Sequence, residues 1–183
     1  MRLSNLTGRD AYTNQIVDLF WEATDPLFDA EAGLYYRDEK YVGRRNENGR
    51  KVFWSRGNGW VMAGLARILS VLPSDHPSRD RFVDHFRRMA EAVAGLQQSS
   101  GYWRPSLHDP KAYPTPETSG TGFFCYALAW GINEGLLDRG RYAPVVERAW
   151  TALADAVRAD GRLQWVQPVG EAPATVDKSD TAP

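Results

Sequence analysis

Apolar residues recur every three to four positions from Asp10 to Phe28, where Tyr12, Ile16, Leu19, Phe20, Ala23 and Leu27 are separated by polar residues. This spacing predicts an amphipathic helix with one face in water. The pattern returns from Arg79 to Gln98 through Phe82, Phe86, Met89, Val93 and Leu96. It returns again from Tyr142 to Arg158 through Val145, Val146, Ala149, Trp150, Leu153 and Val157. Between these lie two stretches of another kind, Val61 to Leu72 and Gly122 to Asn133, which carry almost no charge. A helix that is apolar on all sides is a buried one. The order amphipathic, apolar, amphipathic, apolar, amphipathic predicts an all-α chain in which dry inner helices are covered by half-wet outer ones, an α/α toroid. A flat solenoid is the rival, but its helices would keep a solvent edge, and its connections would be shorter than the roughly twenty residues found here.

Each amphipathic stretch leads into a glycine and an aromatic group: Gly33-Leu34-Tyr35-Tyr36-Arg37, Gly101-Tyr102-Trp103-Arg104 and Gly161-Arg162-Leu163-Gln164-Trp165. The repeating unit is thus a helical hairpin of about 60 residues with long loops, and the glycine suits the left-handed conformation that closes a helix. The last amphipathic stretch has no apolar partner after it, and residues 170–183, rich in Pro, Ala, Asp and Thr, read as loop. Residues 1–183 are expected to form a single domain.

Composition narrows the function. A net charge of −1 offers no basic surplus for a nucleic acid. Cys125 is the only cysteine, which excludes a disulfide within the chain and a cysteine metal cluster. His76, His85 and His108 are scattered without ligand spacing, so neither a metal nor another cofactor is expected, and His85 is assigned to the outer face of its helix. No apolar run is long enough to span a membrane, and residues 1–6 lack the apolar core of a secretion signal, so a cytoplasmic location is expected. Nothing in the pattern sets an oligomeric state.

Both apolar helices follow polar segments marked by glycine, Trp54-Ser55-Arg56-Gly57-Asn58-Gly59-Trp60 and Glu117-Thr118-Ser119-Gly120-Thr121. The unpaired N–H groups of a helix start favour an anion there. Arg56 brings a planar fork of donors suited to a carboxylate, Trp54 and Trp60 bring faces on which a sugar ring stacks, and Asn58 lies between two glycines. Together these suit a uronic acid. The plainer alternative pairs Arg56 with a structural carboxylate and puts both tryptophans in the core. Asp38 beside Arg37 is a candidate acid or orienter of an anion, against the alternative of a solvated charged loop. Trp103, Arg104, Ser106, His108, Asp109 and Tyr113 can line a polar pocket or cover a helix end. Ser or Thr before the second apolar helix is expected to cap it.

With Gly33-Leu34-Tyr35-Tyr36-Arg37-Asp38, Phe53 to Trp60, Gly101 to Arg104, Pro116 to Thr121 and Trp165-Val166-Gln167-Pro168-Val169-Gly170, the chain resembles the unsaturated rhamnogalacturonyl hydrolases of glycoside hydrolase family 105, relatives of the family 88 glucuronyl hydrolases. The resemblance runs over nearly the whole chain. It implies an (α/α)6 barrel of six hairpins and a cytoplasmic enzyme that removes a terminal 4,5-unsaturated uronic acid from pectin-derived rhamnogalacturonan oligosaccharides. In such enzymes a carboxylic acid protonates the C4–C5 double bond, water adds at C5, and the resulting hemiketal opens and expels the remaining sugar. By motif match Arg56 and Trp60 correspond to the residues that hold the uronate, by carboxylate pairing and by stacking. Arg37 stands in the loop where some relatives carry a catalytic His. The acid Asp of the family lies before the matched region, so the chain is expected to be the C-terminal portion of a barrel about twice its length, and inactive or poorly soluble alone. A non-catalytic helical sugar-binding or scaffold protein, or another α/α-barrel enzyme such as a sugar epimerase, are the alternatives.

Overall fold

Helices α3 (Ser55–Leu69) and α5 (Thr118–Asn133) lie side by side and form the most extensive helix pair of the computed structural model, which describes residues 1–182. Glycine permits the close approach. A Cβ on Gly59 would stand 2.8 Å from the Cβ of Phe123, and one on Gly120 would stand 2.3 Å from the Ser55 Oγ. The helices therefore begin earlier than the apolar pattern predicts. The polar segments ahead of them form their first turns, and Gly59 and Gly120 there serve contact between the helices.

The outer layer follows the amphipathic pattern. Helix α4 (Arg79–Gly95) covers α3, and helix α6 (Arg139–Asp155) covers α5. Phe82, Phe86, Met89 and Val93 of α4 are wholly buried, as the spacing requires. On α6 the buried stripe is Val145, Ala149 and Ala152. Trp150, assigned to that stripe from the sequence, is 68% exposed, because it lies about 100° round the helix from Ala149.

Two further helices precede this core. Helix α1 (Arg2–Thr7), too short to show a period, ends on Gly8 in the left-handed region. Helix α2 (Ala11–Leu27) packs on α4 through Phe20 and Trp21, whose rings lie 4.9 and 4.8 Å from Phe82. His85 belongs to this cluster. It is buried among Phe20, Trp21, Phe28 and Tyr35, with Nε2 2.7 Å from the Tyr35 hydroxyl, which corrects its assignment to a wet face. Strands β1 (Phe28–Asp29) and β2 (Leu34–Tyr35) pair antiparallel after α2.

Residues 170–182 carry no helix or strand, yet they fold back on the chain. Leu163 pairs with Ala182, and the Val166 N–H donates to the Asp180 carbonyl at 3.1 Å. No helix of the described residues is long and apolar enough to cross a membrane.

Candidate functional site

The N-terminal ends of α3 and α5 meet under two loops, and the chemistry gathers there. The N–H groups at the start of α5 are not open to a ligand. Thr118 donates to the Trp165 carbonyl at 2.9 Å, Ser119 to Glu117 Oε1 at 2.9 Å and Gly120 to Glu117 Oε2 at 2.7 Å. On α3, Ser55 donates to the Pro105 carbonyl at 2.9 Å. The expectation that a bare helix end prepares an anion site is corrected at α5, whose cap is the wholly buried carboxylate of Glu117, not a Ser or Thr hydroxyl.

The cation beside this cap is the side chain of Arg56. Its Nε donates to Ser119 Oγ at 2.7 Å, one terminal nitrogen donates to the Pro168 carbonyl at 3.2 Å, and the other donates to the Gln167 carbonyl and lies 3.9 Å from Glu117 Oε1. The guanidinium also sits over the Trp54 ring, 5.6 Å from its centre. Of its five N–H groups three are engaged and two are left. Arg56 is thus a braced cation, 14% exposed, rather than an open fork.

Trp60 lies on the same helix one turn further on and is 62% exposed, its ring 4.4 Å from that of Phe123. Together with Gly64, Arg67, Ser119 and Tyr126 these two rings line an open trough of about 740 Å³ between α3 and α5. Ser119 therefore touches the trough on one side and holds Arg56 on the other.

On the opposite side of α3 a smaller, mainly apolar cavity of about 230 Å³ is walled by Phe20, Tyr36, Trp54, Gly57 and Val61, with Arg37 among its lining residues. Trp54 is nearly buried, and its indole N–H donates to Gln167 Oε1 at 2.9 Å. Arg37 pairs with Asp38 and reaches Glu171 at 3.4 Å. Asp38 has both oxygens engaged, Oδ1 accepting from the Lys40 N–H at 2.9 Å as the cap of the 3-10 turn Glu39–Tyr41, and Oδ2 paired with Arg37. No Asp or Glu among the described residues lines either space.

Asn58 and Trp103 are both tied to backbone. Asn58 is buried, its Oδ1 accepting from the Tyr35 N–H at 2.7 Å and its Nδ2 donating to the Tyr35 and Trp54 carbonyls at 3.0 Å each. Both amide hydrogens are thus spent on backbone, although Asn58 is among the residues that line the smaller cavity. Trp103 is wholly buried against Phe124, with its indole N–H on the Val93 carbonyl at 2.7 Å, which corrects its placement at a binding surface. Asp109 is tied up too, accepting from the side-chain amides of Asn46 and Asn48 at 2.6 and 2.8 Å.

Sequence reasoning missed Gln167, Phe123 and the joint part of Ser119 and Glu117 beside Arg56. The signal was the Glu117-Thr118-Ser119 order, since an acid two residues before a hydroxyl at a helix start can orient that hydroxyl. Below the site, Asp29 receives Lys51 Nζ at 2.7 Å and the Tyr36 hydroxyl at 2.8 Å. Burial alone would raise its pKa, but these donors and the Ala32 N–H hold it down at about 2.

Inner and outer helices joined by loops of glycine and aromatics, with a braced arginine at the inner helix ends, place the chain among the six-hairpin α/α glycosidases. It belongs to glycosyl hydrolase family 88, whose profile matches residues 1–181. Over 98% of its length it is 48% identical to an unsaturated 3S-rhamnoglycuronyl hydrolase of Alteromonas sp. (strain LOR), of which it covers 44%. Over 91% of its length it is 43% identical to a protein of the same name from Formosa agariphila, of which it covers 46%. A solved structure of a glycosyl hydrolase family 88 protein from Bacteroides vulgatus superposes with a TM-score of 0.93 at 40% identity, covering 98% of this chain and 53% of that one. The chain spans about half the length of the curated relatives it matches.

Proposed function

We propose that this chain supplies the uronate-holding part of a hydrolase that removes a terminal 4,5-unsaturated uronic acid from a rhamnose-containing oligosaccharide. The observation that carries the reading is the pairing on one helix of Arg56, with two N–H groups unspent, and Trp60, an exposed indole one turn away at the edge of an open trough. The arginine pairs with the sugar carboxylate, and the indole takes the C–H face of the ring. Family membership and the names of the two relatives support the reading of an unsaturated uronide joined to rhamnose. Those two names read rhamnoglycuronyl, where a pectin-derived rhamnogalacturonan is expected from the sequence.

The chemistry is hydration of the double bond. A carboxylic acid delivers a proton to C4 and water adds to C5. The C5 hemiketal then opens, and the bond to the remaining sugar breaks. With no carboxylate on either cavity, the proton donor belongs to residues outside those described, and this chain binds without turning over. Titrating an unsaturated uronosyl-rhamnose disaccharide into the protein while following tryptophan fluorescence tests the reading. Binding to the wild type, weakened about tenfold or more in Trp60→Ala and in Arg56→Ala, is expected. Equal affinity in all three proteins overturns the assignment, and turnover by the wild type overturns the placement of the acid.

A further inference from the structure

Arg56 has a rigid support in Ser119 and Glu117. Its Nε–H can only donate, so the Ser119 oxygen accepts from it, and the single proton of that hydroxyl is then directed to Glu117 Oε1, with which Ser119 Oγ is in hydrogen-bond contact. Glu117 is itself immobile, being wholly buried with an oxygen on each of two backbone N–H groups of α5. From this geometry we infer that Ser119, oriented by Glu117, is the positioning residue that fixes the plane of the Arg56 guanidinium. Resting on the uronate-holding reading, this makes Ser119 a determinant of specificity for planar carboxylates.

Three features support it. The relay joins the first turns of the two inner helices, so the guanidinium is referenced to both. The terminal nitrogens are met by the Gln167 and Pro168 carbonyls, which leaves the Nε edge to Ser119 alone. Ser119 also lines the trough that Trp60 borders, so a ring stacked on the indole meets the hydroxyl that aims the charge. A loosely held arginine would lose side-chain entropy on binding a ligand, and one already fixed loses little.

Two measurements on the full chain test this. In ¹H–¹⁵N spectra of arginine Nε–H groups, the Arg56 signal, assigned by its absence in Arg56→Lys, is expected to be slow to exchange in the wild type. It should exchange at least tenfold faster in Ser119→Ala and recover in Ser119→Thr, which restores a hydroxyl. Disaccharide affinity should fall about tenfold in Ser119→Ala and return in Ser119→Thr. An Arg56 signal unchanged by Ser119→Ala overturns the inference. A wild type that fails to bind the disaccharide, while the Arg56 signal still depends on Ser119, upholds the anchor and refutes only the uronate reading.

Discussion

Replacing Asn58 should cost more stability than its modest size suggests. The Tyr36 N–H donates to the Leu27 carbonyl at 2.9 Å, and in an antiparallel pair the neighbouring residue turns its own N–H and C=O outward. Tyr35 therefore presents both groups away from β1, and Asn58 of α3 meets them at 2.7 and 3.0 Å in the place of a third strand. Asn58→Ala strands two buried backbone groups, each worth about 1–3 kcal/mol when left unpaired, for a total of about 2–6 kcal/mol. Against a total stability of about 5–15 kcal/mol this is severe. In urea the midpoint should drop by roughly 1–2 M with the slope retained. Asn58→Asp sharpens the test. One oxygen keeps the Tyr35 N–H, while the other faces the carbonyls of Tyr35 and Trp54, so the folded state favours the protonated acid and raises its pKa above the unfolded value. The folded state then binds more protons than the unfolded one. The defect must be full at neutral pH and shrink as pH falls towards the carboxylate range. A loss below about 1 kcal/mol in Asn58→Ala, or a pH-independent defect in Asn58→Asp, would refute the strand-mimic argument.

The pKa of His85 is lowered from 6.5 to about 4, first by burial and then by the charges of Arg88 and Arg81. A base with a depressed folded pKa takes up protons preferentially when unfolded, so stability should decline as pH falls from about 6.5 to about 4, and His85→Gln should flatten that slope in melting temperatures taken across the range. The Thr24 hydroxyl donates to the Phe20 carbonyl, which leaves the Tyr35 proton to Thr24 and puts the His85 proton on Nε2; ¹⁵N spectra showing the Nδ1–H tautomer would contradict this. Gly59→Ala presses a methyl to 2.8 Å from Phe123 and should destabilise by about 1–3 kcal/mol. Gly64→Ala meets nothing within 4 Å and should stabilise by about 0.5–1 kcal/mol, both read from thermal unfolding.

The layering was legible because it depends on composition by face: the zero-exposure side chains of Phe82, Phe86, Met89 and Val93 are those the period picks out. Helix starts were less legible. Gly57, Gly59 and Gly120 read locally as breakers, yet two of them meet a neighbouring helix whose identity depends on residues more than sixty positions away. The same holds at the site. Arg56 and Trp60 stand out by residue type, but whether an arginine is free or spent depends on Ser119, Gln167 and Pro168, partners 63 to 112 residues distant. Burial likewise ties Asn58 and Trp103 into the structure, because each spends its N–H donors on backbone carbonyls.

The extended segment after α6 explains why the inner helices hold together at this end. Thr118 gives both its N–H and its hydroxyl to the carbonyls of Trp165 and Gln164, while Arg56 of α3 reaches the carbonyls of Gln167 and Pro168 and Trp54, just before α3, reaches the side chain of Gln167. One stretch of chain therefore satisfies the starts of two helices at once. Its backbone carbonyls present partial negative charge to the guanidinium, and Glu117 presents full negative charge. The cation is thus partly neutralised before any ligand arrives. Such a site holds an anion weakly through charge alone and must draw on the Trp60 face for the rest, which selects for a group that is both acid and ring. On this argument raising the salt concentration should weaken disaccharide binding only slightly, whereas Trp60→Ala should weaken it strongly. A steep salt dependence with little effect of Trp60→Ala would show that charge, not stacking, governs recognition.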